Sequence, residues 1–233
     1  MIILISFLFL LFFLLETYCW VFRFIGNSIN LPAFGYSLHS QFGTLSRIAP
    51  LLSMPIVGYM LDNHYDYSIF IHATLLISAI YIAILSFTLY KFNFFYSSSR
   101  KFFIFYIKNL YKIQIDDIRV TPANNLEDYS IKKSDLIISI STFFSFLIVF
   151  IGLFLSIILA ALNYDNRAMF LQFSTFFTAI GTLIAIFFFD PRISLFLDRK
   201  QAHIDLLKSI FISRILAMIT VFLISISYLI IFE

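Results

Sequence analysis

Long apolar runs separated by short polar breaks set the pattern of this chain. Six runs are long enough to cross a hydrocarbon layer of roughly 30 Å, which takes about 20 helical residues at 1.5 Å each. They cover about Ile2 to Phe22, Leu31 to Leu61, Ile69 to Leu89, Leu136 to Leu162, Met169 to Phe189 and Ser209 to Phe232, and a polar stretch from Lys91 to Lys133 interrupts them. The pattern predicts an all-α fold, a polytopic membrane helix bundle of about six transmembrane helices. It forms a single transmembrane domain over residues 1–233, with a basic cytoplasmic link at about 91–133. The first run has no basic segment before it and no small-residue cleavage site, and Glu16 follows its apolar core directly, so it reads as a retained span. No internal repeat of domain-building length is visible.

Composition agrees with this reading. Apolar residues make up 61% of the 233 positions and charged residues 12%, and the mean hydropathy is +0.95, all far from soluble norms. Cys19 is the only cysteine, which excludes a disulfide within the chain and a cysteine-held metal cluster. No Walker motif, HExxH, glycine-rich nucleotide loop or nucleophile triad is present, so neither a cofactor nor a metal is expected. His39 and His72 fall at different depths, about 12 Å from one face and about 5 Å from the other, and do not share a haem or metal.

The cations give the topology. The link after the third run holds Lys91, Arg100, Lys101, Lys108, Lys112, Arg119, Lys132 and Lys133; the link after the fifth holds Arg192, Arg199, Lys200 and Lys208. With Arg23, thirteen of the sixteen Lys and Arg residues fall on one face. The opposite links carry only Arg167, beside Asp62, Asp66 and Asp165. Both termini are therefore expected outside. The net charge of +3 reflects a basic cytoplasmic face rather than a nucleic-acid partner. Lys101, Lys108 and Lys112 recur among aromatics in a pattern that suits a helix on an anionic membrane surface, or simply a basic snorkelling linker. Asp190 and Pro191 read as the N-cap and first residue of a short interfacial helix.

Polar residues inside the spans need a compensating reason, since an ionisable group there costs about 2.5 to 3.5 kcal/mol on insertion scales. Glu16 and Arg23 share a face of the first span. In the second, Ser37, Ser40, Thr44 and Arg47 form one polar stripe that should face protein or a watery cavity. Pro50 and Pro55 are expected to free carbonyls just beyond Arg47, with Gly58 completing a hinge-like segment. Arg214 lies about 9 Å inside Lys208 in the sixth span. Thr175, Thr178 and Thr182 in the fifth, and Gly152, Ser156 and Ala160 in the fourth, read as packing faces. Glu16 either pairs with Arg214 or Arg47 as a structural ion pair or serves a ligand. Two net cations with one acid suit an anionic ligand, and arginine grips phosphate oxygens with a two-pronged fork.

The stretch LLETYCWVFRFIGNSINLPAFGYSLHSQFGTLSRIAPLLSMPIVGYMLD resembles the N-terminal signature of the Amj family, bacterial lipid II flippases that act as an alternate to MurJ. The shared elements are Glu16-Thr17, Tyr18, Arg23, Gly26, Ser37-Leu38, Ser46-Arg47, Pro55, Gly58 and Asp62. Asn166-Arg167-Ala168, Asp190-Pro191, Asp198 and Arg214 resemble the same family's C-terminal half, whereas the link from Asn93 to Lys133 does not align. The resemblance implies transport of lipid II, an undecaprenyl-pyrophosphate disaccharide peptide, from the inner to the outer leaflet of the bacterial cytoplasmic membrane for cell-wall synthesis. The protein would be a transporter and not an enzyme, with no bound cofactor. Arg23, Arg214 and Arg47 would form a ladder for the pyrophosphate in a groove lined by spans one, two and six. Ser37, Ser40 and Thr44 would lie beside it, Glu16 would be a gating or proton-linked partner, and Pro50, Pro55 and Gly58 a hinge. Two other readings stay open, with a homo-oligomer compatible with each: a structural subunit of a membrane complex, and a polyprenyl-phosphate enzyme using Asp62, Asp190 and Asp198.

Overall fold

The structure, a computed structural model, describes residues 1–111, 133–198 and 204–232. Among the described residues the regular elements are all helical, and six helical segments are long and apolar enough to span a membrane. The chain is a multi-pass membrane protein. Lys112, Arg119 and Lys132 of the basic link, and Arg199 and Lys200 after the fifth span, lie outside the described residues.

Helix α1 (Ile2–Ser28) is the central post and packs on α2 (Pro32–Ser46), α3 (Ile48–Asp62), α4 (Tyr67–Tyr90), α5 (Phe92–Tyr111) and α9 (Ile204–Phe232). The connection from α1 to α2 is tight. Asn30 adopts a left-handed backbone (φ 59°), which Asn tolerates well, and the Leu31 N–H donates to the Gly26 carbonyl at 2.7 Å. Pro32 then opens α2, where its missing N–H costs nothing. Gly26 and Gly35 let the two backbones touch: a Cβ on Gly26 would stand 2.6 Å from the Gly35 Cα. Farther along, the Asp66 carboxylate accepts from the Ser68 N–H at 3.3 Å and caps α4.

The second run is interrupted once, at Arg47, between two fifteen-residue helices. This differs from the expected release of carbonyls beyond the cation. Pro50 falls in the first turn of α3, where its N–H would have had no partner. Its ring disfavours the carbonyl four residues back, that of Ser46, so the break forms at the cation itself. Pro55 is the proline inside a helix.

Helix α6 (Lys133–Leu162) packs on a fifth span that is longer than the sequence suggested. It runs as α7 (Arg167–Ile184), a wide π turn (Ala185–Phe189) and α8 (Asp190–Asp198). The separate interfacial helix capped by Asp190 is therefore corrected: Asp190 has helical angles (φ −57°, ψ −47°). Pro191 follows a turn whose ladder is already irregular, so the helix continues through it. Gly152 presses on Phe177, with a hypothetical Cβ only 2.0 Å from the Phe177 Cβ, which makes the small-residue face of α6 a packing face. The Ser145 hydroxyl donates to the Gly181 carbonyl at 2.7 Å.

An aromatic cluster fills the centre. Phe13 meets Phe150 edge-on with centroids 4.2 Å apart, and Tyr81 joins both rings. The outer surface is apolar as lipid requires, with Leu51, Phe87 and Phe187 exposed. Two cross-helix ion pairs tie residues that the cation count places on the same face: Arg167 with Asp62 at 2.7 Å, and Arg23 with Asp190 at 3.0 Å. Arg167 and Asp190 belong to one span, so the pairs are separated by about 34 Å of helix at 1.5 Å per residue, close to a bilayer's thickness.

Candidate functional site

Helix α1 turns Phe12, Glu16, Cys19 and Trp20 to one side, at the spacing of a single helical face. Opposite them stand His39, Gly43, Thr44 and Arg47 from the second span, Ser145 and Phe150 from α6, and Thr178, Thr182 and Asp190 from the fifth span. Together they line a cavity of about 250 Å³. Arg47 is equidistant from the ends of its span, so the cavity reaches the middle of the bilayer. A second space of about 290 Å³ has mostly apolar walls, including Pro50, Leu51, Met54 and Leu153. Phe12, Arg47 and Thr178 belong to both linings. A partly polar chamber and an apolar groove thus meet at Arg47.

The three membrane arginines separate into two kinds. Arg214 is 2% exposed and spent on the protein: it donates to the Glu16 carbonyl at 2.6 Å and to the Thr17 hydroxyl at 2.8 Å, and lies 3.5 Å from the centre of the Phe146 ring. Arg23 is also buried. It pairs with Asp190, donates to Ser194, and lies over the rings of Trp20 and Tyr36. Neither lines the cavity. Arg47 alone of the three is exposed; its backbone N–H donates to the Thr44 carbonyl at 3.2 Å, while its guanidinium forms no ion pair with a described residue.

The expected groove of spans one, two and six is corrected to spans one, two, four and five. Rise along a helix gives the depth of Arg214 but not its direction, and its side chain points into the α1 backbone. Of the two alternatives for Glu16, the ion pair with Arg214 or Arg47 does not form, since no Lys or Arg nitrogen lies within 4.0 Å of its carboxylate among the described residues. Its Oε2 instead accepts from the Ser46 hydroxyl at 3.0 Å. Ser40 and Thr44 line the cavity with Arg47 as the stripe suggested. Ser37, at the far end, is exposed outside it and accepts from the Gln41 side chain at 3.4 Å. Pro50 lines the apolar groove, Pro55 is exposed on α3, and Gly58 has open space around its Cα.

The threonines, read from sequence as packing, line the two spaces: Thr182 the chamber, Thr175 the groove and Thr178 both. Trp20, Tyr36 and His39 are among the lining residues that the sequence reading did not assign to the groove, and Asp190 entered it only as a helix cap, a family element and a carboxylate of the enzyme alternative. Their signal was available for Trp20, one turn from Glu16 on the same face. It was not available for Asp190, which becomes a wall residue only because the helix runs on past the π turn. Asp62 and Asp190 occupy ion pairs at opposite ends of the molecule.

Compared with protein-family models, with curated proteins and with solved structures, the chain matches none of them.

Proposed function

We propose that this protein is a carrier that moves a pyrophosphate-linked polyprenyl saccharide across the bilayer, a lipid II flippase of the Amj type, in the bacterial cytoplasmic membrane. The observation that carries the reading is the position of Arg47: an exposed cation, ion-paired to no described residue, at a helix break in mid-membrane, where a partly polar chamber meets an apolar groove. An amphiphile with an anionic head needs both environments side by side. A guanidinium stays charged at that depth and offers a phosphate two parallel hydrogen bonds. Broken helices at the bilayer midplane are a recurrent way of building carrier sites, because irregular backbone is tolerated where it lines a cavity.

A chamber of about 250 Å³ lies just below the usual range for ligand pockets, roughly 300 to 1,000 Å³. It suits the pyrophosphate and the adjoining part of the head, with the tail in the groove, and transport of a whole disaccharide peptide requires the walls to part. The spans on either side of the groove, α3 and α7, are the pair to separate. Arg23 and Arg214 act in this reading as fixed parts of the walls rather than rungs of a ladder.

The test is expression in a bacterium depleted of MurJ, scoring growth together with outer-leaflet lipid II. Rescue of both is the expected result. A correctly inserted, abundant protein that restores neither excludes lipid II as the substrate.

A further inference from the structure

One end of the chamber carries two buried polar atoms that nothing in the protein satisfies. Trp20 Nε1 and His39 Nδ1 have no hydrogen-bond partner among the described residues. The two rings are in contact, with centroids 4.2 Å apart, and both side chains line the cavity. Unpartnered polar groups are costly anywhere in a folded protein and more so where the bilayer excludes water. Their chemistry is complementary. The indole N–H can only donate. A neutral imidazole carries one N–H and one lone pair, so His39 can present an acceptor beside the indole donor.

Asp190 adds a second acceptor. Its Oδ1 is held by Arg23, and its side chain remains 30% exposed on the cavity wall. The ion pair makes this end electrically neutral, whereas the Arg47 end, with Arg214 and Glu16 beside it, is net positive. A phosphate oxygen could take the indole proton but would then face the lone pair of His39 and the carboxylate of Asp190. A hydroxyl donates and accepts at once, and matches the pair.

We infer that the Trp20, His39 and Asp190 end of the chamber is a subsite for a neutral, hydroxyl-bearing group, the first sugar of a glycosylated lipid pyrophosphate whose phosphates lie toward Arg47. The inference rests on the lipid-pyrophosphate reading above and adds to it a means of telling glycosylated carriers from bare ones. Arg23 serves as a positioning residue: by stacking on Trp20 and Tyr36 and pairing with Asp190 it fixes the wall. Both nitrogens are covered in the present conformation, so binding requires the two rings to shift and present them to the ligand.

Trp20 is the only tryptophan of the chain, so its fluorescence reports on this subsite directly. The purified full-length protein is titrated with undecaprenyl pyrophosphate and, separately, with the same lipid bearing one N-acetylhexosamine. The sugar-bearing lipid is expected to bind about tenfold or more tighter, the effect of one or two hydrogen bonds to buried groups, and to shift the Trp20 emission further. His39→Phe, which keeps a ring against Trp20 but removes the acceptor, should bind both lipids with the affinity of the bare one. His39→Asn, which can return an acceptor, should recover part of the preference. Unchanged binding of the bare lipid shows that a variant is folded. Equal affinity for both lipids in the wild type overturns the subsite while leaving the pyrophosphate reading in place, with ordered water satisfying the two nitrogens. An equal loss for both lipids in His39→Phe also overturns it. Failure of both lipids to bind the wild type removes the carrier reading and the subsite together.

Discussion

Ser46 and Glu16 stand on different helices and meet through a 3.0 Å hydrogen bond from hydroxyl to carboxylate. Ser46 is the last residue of α2, and Arg47 follows it at the break. The same hydroxyl lies 2.7 Å from the Gly43 carbonyl, so its one proton serves either acceptor. The carboxylate of α1 is thereby linked to the place where the second span changes from one helix to the next, and a change in its charge or partner is felt at the cation.

The first prediction follows from the exposure of Arg47. Because it forms no ion pair with Glu16, replacing it breaks no salt bridge, and Arg47→Gln and Arg47→Lys should leave the folded protein at near-normal abundance. Transport should fall in both, since lysine keeps the charge but not the two-pronged contact. Membrane abundance and rescue of MurJ depletion, scored together in Arg47→Gln, Glu16→Gln and the double variant, decide the matter. Recovery of abundance and rescue in the double variant would return Arg47 to a structural role.

Arg214 should behave in the opposite way. Arg214→Ala removes two charge-assisted hydrogen bonds and the contact with Phe146, and leaves a hole in a packed interior, at a cost of about 3 kcal/mol. Thermal unfolding in detergent should move down by several degrees and abundance should drop with it. A variant of normal stability that had lost only transport would place Arg214 among the ligand-binding groups after all.

Two glycines separate packing from hinge action. Gly35→Ala puts a methyl against the backbone of α1, 2.7 Å from the Phe22 carbonyl oxygen, and overpacking of this kind costs about 1 to 3 kcal/mol. Gly58 has nothing within 4 Å of the added carbon, and Gly58→Ala should hold or raise stability by up to about 1 kcal/mol through helix propensity. If α3 flexes at Gly58 during transport, Gly58→Ala loses rescue while remaining as stable as the parent. Full rescue removes Gly58 from the hinge.

Orientation is checked by labelling single cysteines placed at Ser97 on α5 and at Asn63 after α3, both exposed, in a Cys19→Ala background. An impermeant thiol reagent on intact cells should label Asn63→Cys and spare Ser97→Cys. The reverse result would turn the molecule over in the membrane.

The spans were legible because lipid demands long apolar runs, and that demand acts on composition rather than on contacts. The stripe Ser40, Thr44, Arg47 was legible for the same reason, as a polar row that lipid cannot cover. What could not be read was the direction in which an isolated polar residue points. Arg214 has the same charge and a similar depth whether it faces a cavity or the carbonyl of Glu16, and only the neighbouring helix decides. Thr178 and Thr182 likewise bond the carbonyls of Ser174 and Thr178 at 2.7 and 2.8 Å, as threonines in a packed helix do, yet they form a wall. Asp190 was misread because Asp followed by Pro is a common helix start. The π turn before it changes that outcome, and no local pattern announces such a turn.

The groove along Pro50, Leu51 and Met54 also determines what a lipid would have to give up on entering. A tail lying there exchanges one hydrocarbon surround for another, so the roughly 0.8 kcal/mol per methylene that extraction into water demands is never incurred, however long the tail. The barrier to crossing is then set by the head alone, and lipids with short and long prenyl chains but identical heads should cross at similar rates. On the carrier reading, a protein built this way would work sideways, from the plane of the membrane, and would discriminate among its neighbours by what they carry at the surface rather than by how far they reach into the bilayer.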